Sequence, residues 1–109
     1  MDDPAVEKGT AAQFHEAMVS IFKRAITEVK PRYRARQFLA MVMEHGGVEA
    51  AKRLLHAGEE QSGFTRLWEA KRLDLSVEAH VVQSRFSHLF TAEEVAEAQE
   101  RLLKHGYQP

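Results

Sequence analysis

Hydrophobic residues recur at steps of three and four positions along the first third of the chain. The stripe consists of Phe14, Met18, Ile21, Phe22, Ala25, Ile26 and Val29. This spacing places them on one face of an α-helix. Thr10 and Gln13 have the spacing of a capping box, and Pro31 disfavours helical geometry at Lys30. The pattern predicts a first helix from about Ala11 to Lys30.

Two further stripes follow, separated by glycine. The segment from Arg32 to His45 carries apolar residues on one face and then meets Gly46 and Gly47. Glycine at this point can adopt the left-handed conformation that closes a helix. A third apolar stripe runs from Val48 to Leu55 and predicts another short helix. Residues 59–63 have no apolar side chain and are interpreted as a connector.

The second half of the chain predicts shorter helices. Phe64, Leu67 and Trp68 repeat at helical spacing, and we expect Phe64 and Trp68 in the core. Ser76 has the chemistry of an N-cap. It would begin a helix from Val77 to Ser84, although the adjacent valines of that segment also suit a strand.

The end of the chain carries the clearest helix signals. Thr91 and Glu94 form a second capping-box pattern, Glu97 and Arg101 have i,i+4 spacing, and Gly106 provides a stop. Together the patterns predict an all-α protein, a single compact bundle of about five to six helices. Two longer helices come first, short ones lie in the middle, and a well-capped helix comes last. We expect a flexible tail over residues 1–9 and one domain over residues 10–106.

Composition narrows the classes of function. The 109 residues include no cysteine, which excludes disulfides and thiolate metal sites and favours the cytoplasm. No apolar stretch approaches the roughly 20 residues that cross a bilayer, so we expect no membrane association. The net charge of −1 hides an uneven distribution, because residues 10–45 are basic and residues 91–109 are acidic.

The densest basic run lies between the first two predicted helices. It contains Lys30, Arg32, Tyr33, Arg34 and Arg36. Such a run could contact nucleic-acid phosphates, with Tyr33 stacking on a base. The alternative is that these cations pair within the fold with the acidic final helix. A helix-turn-helix over residues 48–72, exposing Thr65, Arg66 and Glu69, is a less favoured route to nucleic-acid binding.

Candidate catalytic and metal-binding patterns are missing from the sequence. None of the six histidines forms a metal-binding pair with another histidine, and no phosphate loop or nucleophile motif occurs. His45, His56 and His105 lie near predicted helix C-termini, where imidazoles can cap open carbonyls. We therefore expect no enzyme activity, metal or cofactor.

An aromatic cluster precedes the last helix and consists of Phe86, Leu89 and Phe90. These side chains either close the core or leave an apolar surface for a partner or a second copy of the chain.

Four segments of the chain carry a further signal: Glu44–Leu55, Ser62–Glu69, Arg72–Ala79 and Leu89–Thr91. Together, and with a likeness that also touches Arg36–Leu39, they resemble a family of small uncharacterised bacterial helical proteins. The resemblance covers about the last two-thirds of the chain. It implies a compact helical module, found alone or appended to larger proteins, with no known activity. At Lys71 and His80, where this sequence departs from the pattern, it implies a small and an apolar residue.

These observations lead to two hypotheses about function. The first is a non-catalytic helical module of a bacterial protein, which binds a protein partner or associates with itself. The second is an accessory nucleic-acid-binding protein that uses the basic segment over residues 30–36.

Overall fold

The fold is built from helices. The structure, a computed structural model, describes residues 4–28, 36–57 and 64–108, with side chains for residues 10–28, 38–57 and 64–108. These residues form six α-helices, two short 3₁₀ turns and no strand, which confirms the all-α prediction. The helices are α1 (Pro4–Glu28), α2 (Arg36–His45), α3 (Gly47–Ala57), α4 (Phe64–Glu69), α5 (Val77–Val81) and α6 (Ala92–Lys104). The 3₁₀ turns are Leu73–Leu75 and Ser87–Leu89.

Two groups of helices meet at α3. Helices α1, α2 and α3 pack on one another, α5 packs on α6, and α3 contacts both α5 and α6. The predicted stripe of α1 supplies the centre of the core, where Phe14 and Met18 are fully buried. Phe64 reaches the same core from α4 and Leu102 from α6, also with no exposed surface.

The first helix is longer than its sequence pattern predicts. It begins at Pro4 rather than near Ala11, so Thr10 lies inside the helix and the predicted capping box at Thr10 and Gln13 is wrong. Proline suits the first turn, because the N–H that it lacks would have no partner within the helix there. The backbone of residues 4–9 therefore continues α1.

The corner between α2 and α3 needs two glycines for two different reasons. Gly46 has a φ of +88°; its N–H donates to the Val42 carbonyl at 2.8 Å and its carbonyl accepts from Ala50 at 3.0 Å. It thus ends one helix and begins the next. Gly47 lies against α1, and a Cβ there would stand 2.6 Å from the Cα of His15. Because Gly46 has no side chain to cap α3, His15 does so, accepting the Gly47 N–H on Nδ1 at 3.0 Å.

Alanine substitutions should separate these two requirements. Gly46→Ala adds a Cβ in open space but strains a left-handed residue, so we expect a loss of about 1–2 kcal/mol in the free energy of unfolding. Gly47→Ala forces α1 and α3 apart, and we expect a loss of about 3 kcal/mol or more. Urea denaturation followed by circular dichroism measures both. A Gly47→Ala protein as stable as Gly46→Ala would contradict the close contact with His15.

The predicted N-cap at Ser76 is confirmed, and the segment after it is helical rather than a strand. Ser76 Oγ accepts the Ala79 N–H at 3.1 Å and donates to the Leu73 carbonyl at 2.6 Å. The buried hydroxyl therefore links the preceding 3₁₀ turn to α5. The helix ends at Val81, three residues before the predicted Ser84.

A buried ion pair joins three helices. Arg101 of α6 is 3% exposed and donates to Glu78 of α5 at 2.8 Å, where Glu78 is 1% exposed. The same guanidinium donates to the Leu55 carbonyl in the last turn of α3 at 3.0 Å. Its Nε donates to Glu97 at 2.7 Å, which confirms the predicted i,i+4 pair. Arg101 thereby fixes the positions of α3 and α5 against α6.

The capping box of α6 is confirmed and extends into tertiary structure. Thr91 Oγ1 accepts the Glu94 N–H at 3.1 Å, and Glu94 accepts the Thr91 N–H at 2.9 Å. The same carboxylate accepts from Lys52 Nζ at 2.9 Å and lies 3.0 Å from His56 Nε2. Burial alone would raise the pKa of Glu94, but these hydrogen bonds outweigh it and lower the pKa to about 2.

Acid should weaken the fold through Glu94. Because its pKa is lower in the folded chain than its ordinary value of 4.5, its stabilisation is complete above that pH and is lost as the pH falls toward 2. The shift corresponds to at most roughly 3 kcal/mol. We expect Glu94→Gln to be less stable than the natural chain at pH 7 and to differ little near pH 2.

The exposed neighbour Glu93 supplies the matched control. Glu93→Gln should follow the natural chain over the whole pH range. If Glu94→Gln loses stability equally at neutral and acid pH, the stabilisation does not come from the carboxylate charge.

Candidate functional site

The basic segment predicted to contact nucleic acid lies almost entirely outside the described residues. Lys30, Arg32, Tyr33 and Arg34 fall in the gap between α1 and α2, and Arg36 is described only by its backbone. Nucleic-acid binding by this segment stays a prediction. The connector of the predicted helix-turn-helix, residues 58–63, is outside the described ranges as well.

The aromatic cluster before α6 belongs mainly to the core. Phe86 is 1% exposed and Phe90 is 8% exposed, and both rings meet Phe14 edge-on, with centroids 5.1 and 5.2 Å away. Leu89 is half-buried beside them. Of the two predicted roles, closing the core is therefore confirmed for Phe86 and Phe90. The prediction that these two form a partner surface is wrong, because α1 covers them.

The histidines differ in what they contact. His105 caps its own helix as predicted, since Nδ1 donates to the Arg101 carbonyl at 2.9 Å. His56 instead reaches Glu94 of α6, so its predicted role as a carbonyl cap is wrong. His45 stands 3.7 Å from the Glu44 carboxylate. Among the residues with described side chains, no group of three or more potential ligands could share a metal ion.

Trp68 lies at the protein surface rather than in the core. We expected it in the core, but 46% of its surface is exposed. Helix α4 has only six residues and buries Phe64 and Leu67, which leaves Trp68 at its edge. The indole packs edge-on against the His105 ring, with centroids 5.0 Å apart. His105 also meets Phe64 at 4.9 Å and so supports Trp68 from the core side.

Trp68 borders a pocket of about 260 Å³ between the ends of α4 and α6. Its lining residues are Trp68, Lys71, Leu73, His105, Gly106 and Tyr107. We call this the Trp68 pocket. Only Lys71 among these side chains carries a permanent positive charge, and none is acidic. The pocket thus combines exposed aromatic surface with one ammonium group.

Two helix ends of the same type build the Trp68 pocket. At α6 the Tyr107 N–H donates to the Leu102 carbonyl at 2.9 Å around Gly106, whose φ is +77°. At α4 the Arg72 N–H donates to the Leu67 carbonyl at 2.8 Å around Lys71, whose φ is +60°. Both are Schellman motifs, in which glycine normally takes the left-handed position. Lys71 is the one described non-glycine residue with a positive φ.

The ion pairs of Arg72 hold the turn that contains Lys71 in place. Arg72 donates to Asp74 at 3.0 Å and contacts Glu28 of α1 at 2.8 Å. The hydrogen bond to Arg72 holds the pKa of Asp74 below its ordinary value. Arg24 and then Arg72 lower the pKa of Glu28 in the same way. The turn that carries Lys71 is therefore tied to the end of α1.

Sequence patterns gave no direct sign of the Trp68 pocket. One indirect signal existed, because the family resemblance implies a small residue at position 71, as a left-handed turn favours. No family model, curated protein or solved structure matches the chain. None of the helices in the described ranges is long and apolar enough to cross a membrane.

Replacing the strained lysine should stabilise the fold. Lys71→Gly relieves the left-handed strain, and we expect the free energy of unfolding to rise by about 1 kcal/mol. Lys71→Ala removes the same charge but keeps a Cβ, so it should leave stability nearly unchanged. Chemical denaturation of the three proteins measures the difference. Equal stabilisation by glycine and alanine would show that charge, rather than backbone strain, is responsible.

Proposed function

We propose that the chain is a non-catalytic helical interaction module that binds a protein partner through the Trp68 pocket. The half-exposed indole of Trp68, which packs against the His105 ring, is the observation that supports this proposal. Tryptophan and tyrosine supply much of the energy of protein interfaces, because they bury a large rigid surface at low entropic cost. Trp68 and Tyr107 line the same pocket.

The chemistry of the pocket favours an acidic partner segment with an apolar anchor. At about 260 Å³ the pocket is below the usual range of whole small-molecule sites and suits one inserted side chain. The Lys71 ammonium at its wall would pair with a carboxylate next to that anchor. The lack of cysteine and the family resemblance favour the bacterial cytoplasm as the place of binding.

The strain at Lys71 supports a role in binding. A lysine at φ +60° costs about 1 kcal/mol that glycine would not cost. Residues in such conformations cluster at functional sites, where their side chains are needed. At this position the lysine ammonium is the feature that glycine cannot supply.

Selection from a random displayed-peptide library tests the proposal. The natural chain is the target, and peptides that also bind Trp68→Ala are removed. We expect the remaining peptides to combine an aromatic or aliphatic residue with neighbouring Asp or Glu. Their affinity for Lys71→Ala should fall about tenfold, which corresponds to the loss of one charge-assisted contact.

Leu103→Ala is a matched control, because Leu103 is 61% exposed on α6 but does not line the pocket. Peptides should bind this variant as they bind the natural chain. Recovery of no peptide that distinguishes Trp68→Ala would overturn the proposal. Light scattering adds a second arm: a dimer that is lost in Trp68→Ala would show that a second copy, rather than another protein, occupies the pocket.

A further inference from the structure

A second cavity lies between α1 and the segment over residues 80–85. Its volume is about 360 Å³. The polar side chains that line it are Gln13, Glu16, Ser20, Arg24, His80 and Arg85. We call it the α1 cavity. The cavity is open to solvent, since His80 is the one residue of this set that is half-buried and the others are exposed, and none of them belongs to the Trp68 pocket.

The wall formed by α1 follows helical spacing. Gln13, Glu16, Ser20 and Arg24 recur at steps of three and four, so they project along one face of the helix. Ala17 also lines this wall. Ala17 and Ser20 are the small residues of this wall, and Gln13 and Arg24 lie at its two ends.

Arg85 is an exposed cation that lines the cavity. Its guanidinium carbon lies 4.4 Å from the centre of the Phe86 ring, and its Nε donates to Gln83 at 3.0 Å. The ring is itself held in the core. Within the described part of the chain, no carboxylate lies at ion-pair distance from Arg85. Its terminal amino groups are therefore available to a ligand.

Arg24 and His80 each have one hydrogen-bonding nitrogen left for a ligand in the cavity. Arg24 uses Nε for Glu28 at 3.0 Å and approaches Asp74 with Nη2 at 4.0 Å, which leaves Nη1. The Ser76 carbonyl can only accept, so the 2.9 Å contact makes His80 Nδ1 the donor. In the neutral ring, Nε2 is then an acceptor for a hydroxyl group of a ligand.

We propose that the α1 cavity binds a small oxyanion, a carboxylate or a phosphate ester, between the guanidinium groups of Arg24 and Arg85. Guanidinium groups suit this chemistry, because their parallel N–H groups match two oxygens of one anion. Glu16 lines the same cavity and Glu28 pairs with Arg24, so Arg85 is the cation that has no described carboxylate at ion-pair distance. Ser20 and Gln13 offer hydroxyl and amide groups to the rest of the ligand.

The environment of His80 agrees with this assignment. Burial lowers the pKa of His80, and the charge of Arg85 lowers it further, against the raising effect of the Ser76 carbonyl. The ring therefore stays neutral at neutral pH and leaves Arg24 and Arg85 as the cations of the cavity.

Two-dimensional amide NMR spectra test the proposal with inorganic phosphate and with acetate as separate probes at constant ionic strength. We expect at least one probe to shift amides of residues 13–24 and 80–85 with saturation in the millimolar range. Arg85→Gln should weaken that binding about tenfold, as expected for the loss of a charge-assisted hydrogen bond. The stronger probe distinguishes a phosphate from a carboxylate ligand.

Arg53→Gln is the matched control, since Arg53 is an exposed arginine of α3 that pairs with Glu49 and does not line the cavity. It should bind the probes like the natural chain. Shifts that fail to saturate with both probes, or saturation unchanged in Arg85→Gln, would overturn the proposal. Trp68→Ala should keep the anion site, so this test is independent of the peptide selection.

Discussion

The guanidinium of Arg101 is the group on which the arrangement of the second half of the chain depends. It is almost fully buried and reaches Glu78 of α5, the Leu55 carbonyl of α3 and Glu97 of its own helix. Burial alone would lower the pKa of Arg101, but the two carboxylates raise it, so the cation persists. A lysine could not donate in these three fixed directions. Removing one partner of such a buried pair leaves the other charge uncompensated, which typically costs about 3–5 kcal/mol.

Both cavities include residues that belong to, or directly follow, the helices that Arg101 joins. Arg101 holds α6 against α3 and α5, and the residues that follow α6, His105, Gly106 and Tyr107, line the Trp68 pocket. Through Glu78, Arg101 also fixes the position of α5, and His80 of this helix lines the α1 cavity.

The sequence predicts several helix-capping residues correctly, whereas contacts between different helices are predicted poorly. Ser76, the Thr91–Glu94 box and Gly106 were identified because each acts on neighbours within a few residues. The exposure of Trp68, the contact of His56 with Glu94 and the burial of Phe86 depend on which helices meet, and no pattern within one helix encodes that. The Trp68 pocket and the α1 cavity were missed for the same reason. Their residues come from segments far apart in the chain.

The corner at Gly46 limits how the chain can change in length. One residue ends α2 and begins α3, and the first N–H of α3 finds its acceptor on His15 of another helix. The start of α3 is therefore complete only when α1 is in place, which couples local helix formation to tertiary packing. An insertion at this corner would move Gly47 away from His15 and leave that N–H exposed. Related chains should accordingly vary in length at other connections and keep this one free of insertions and deletions.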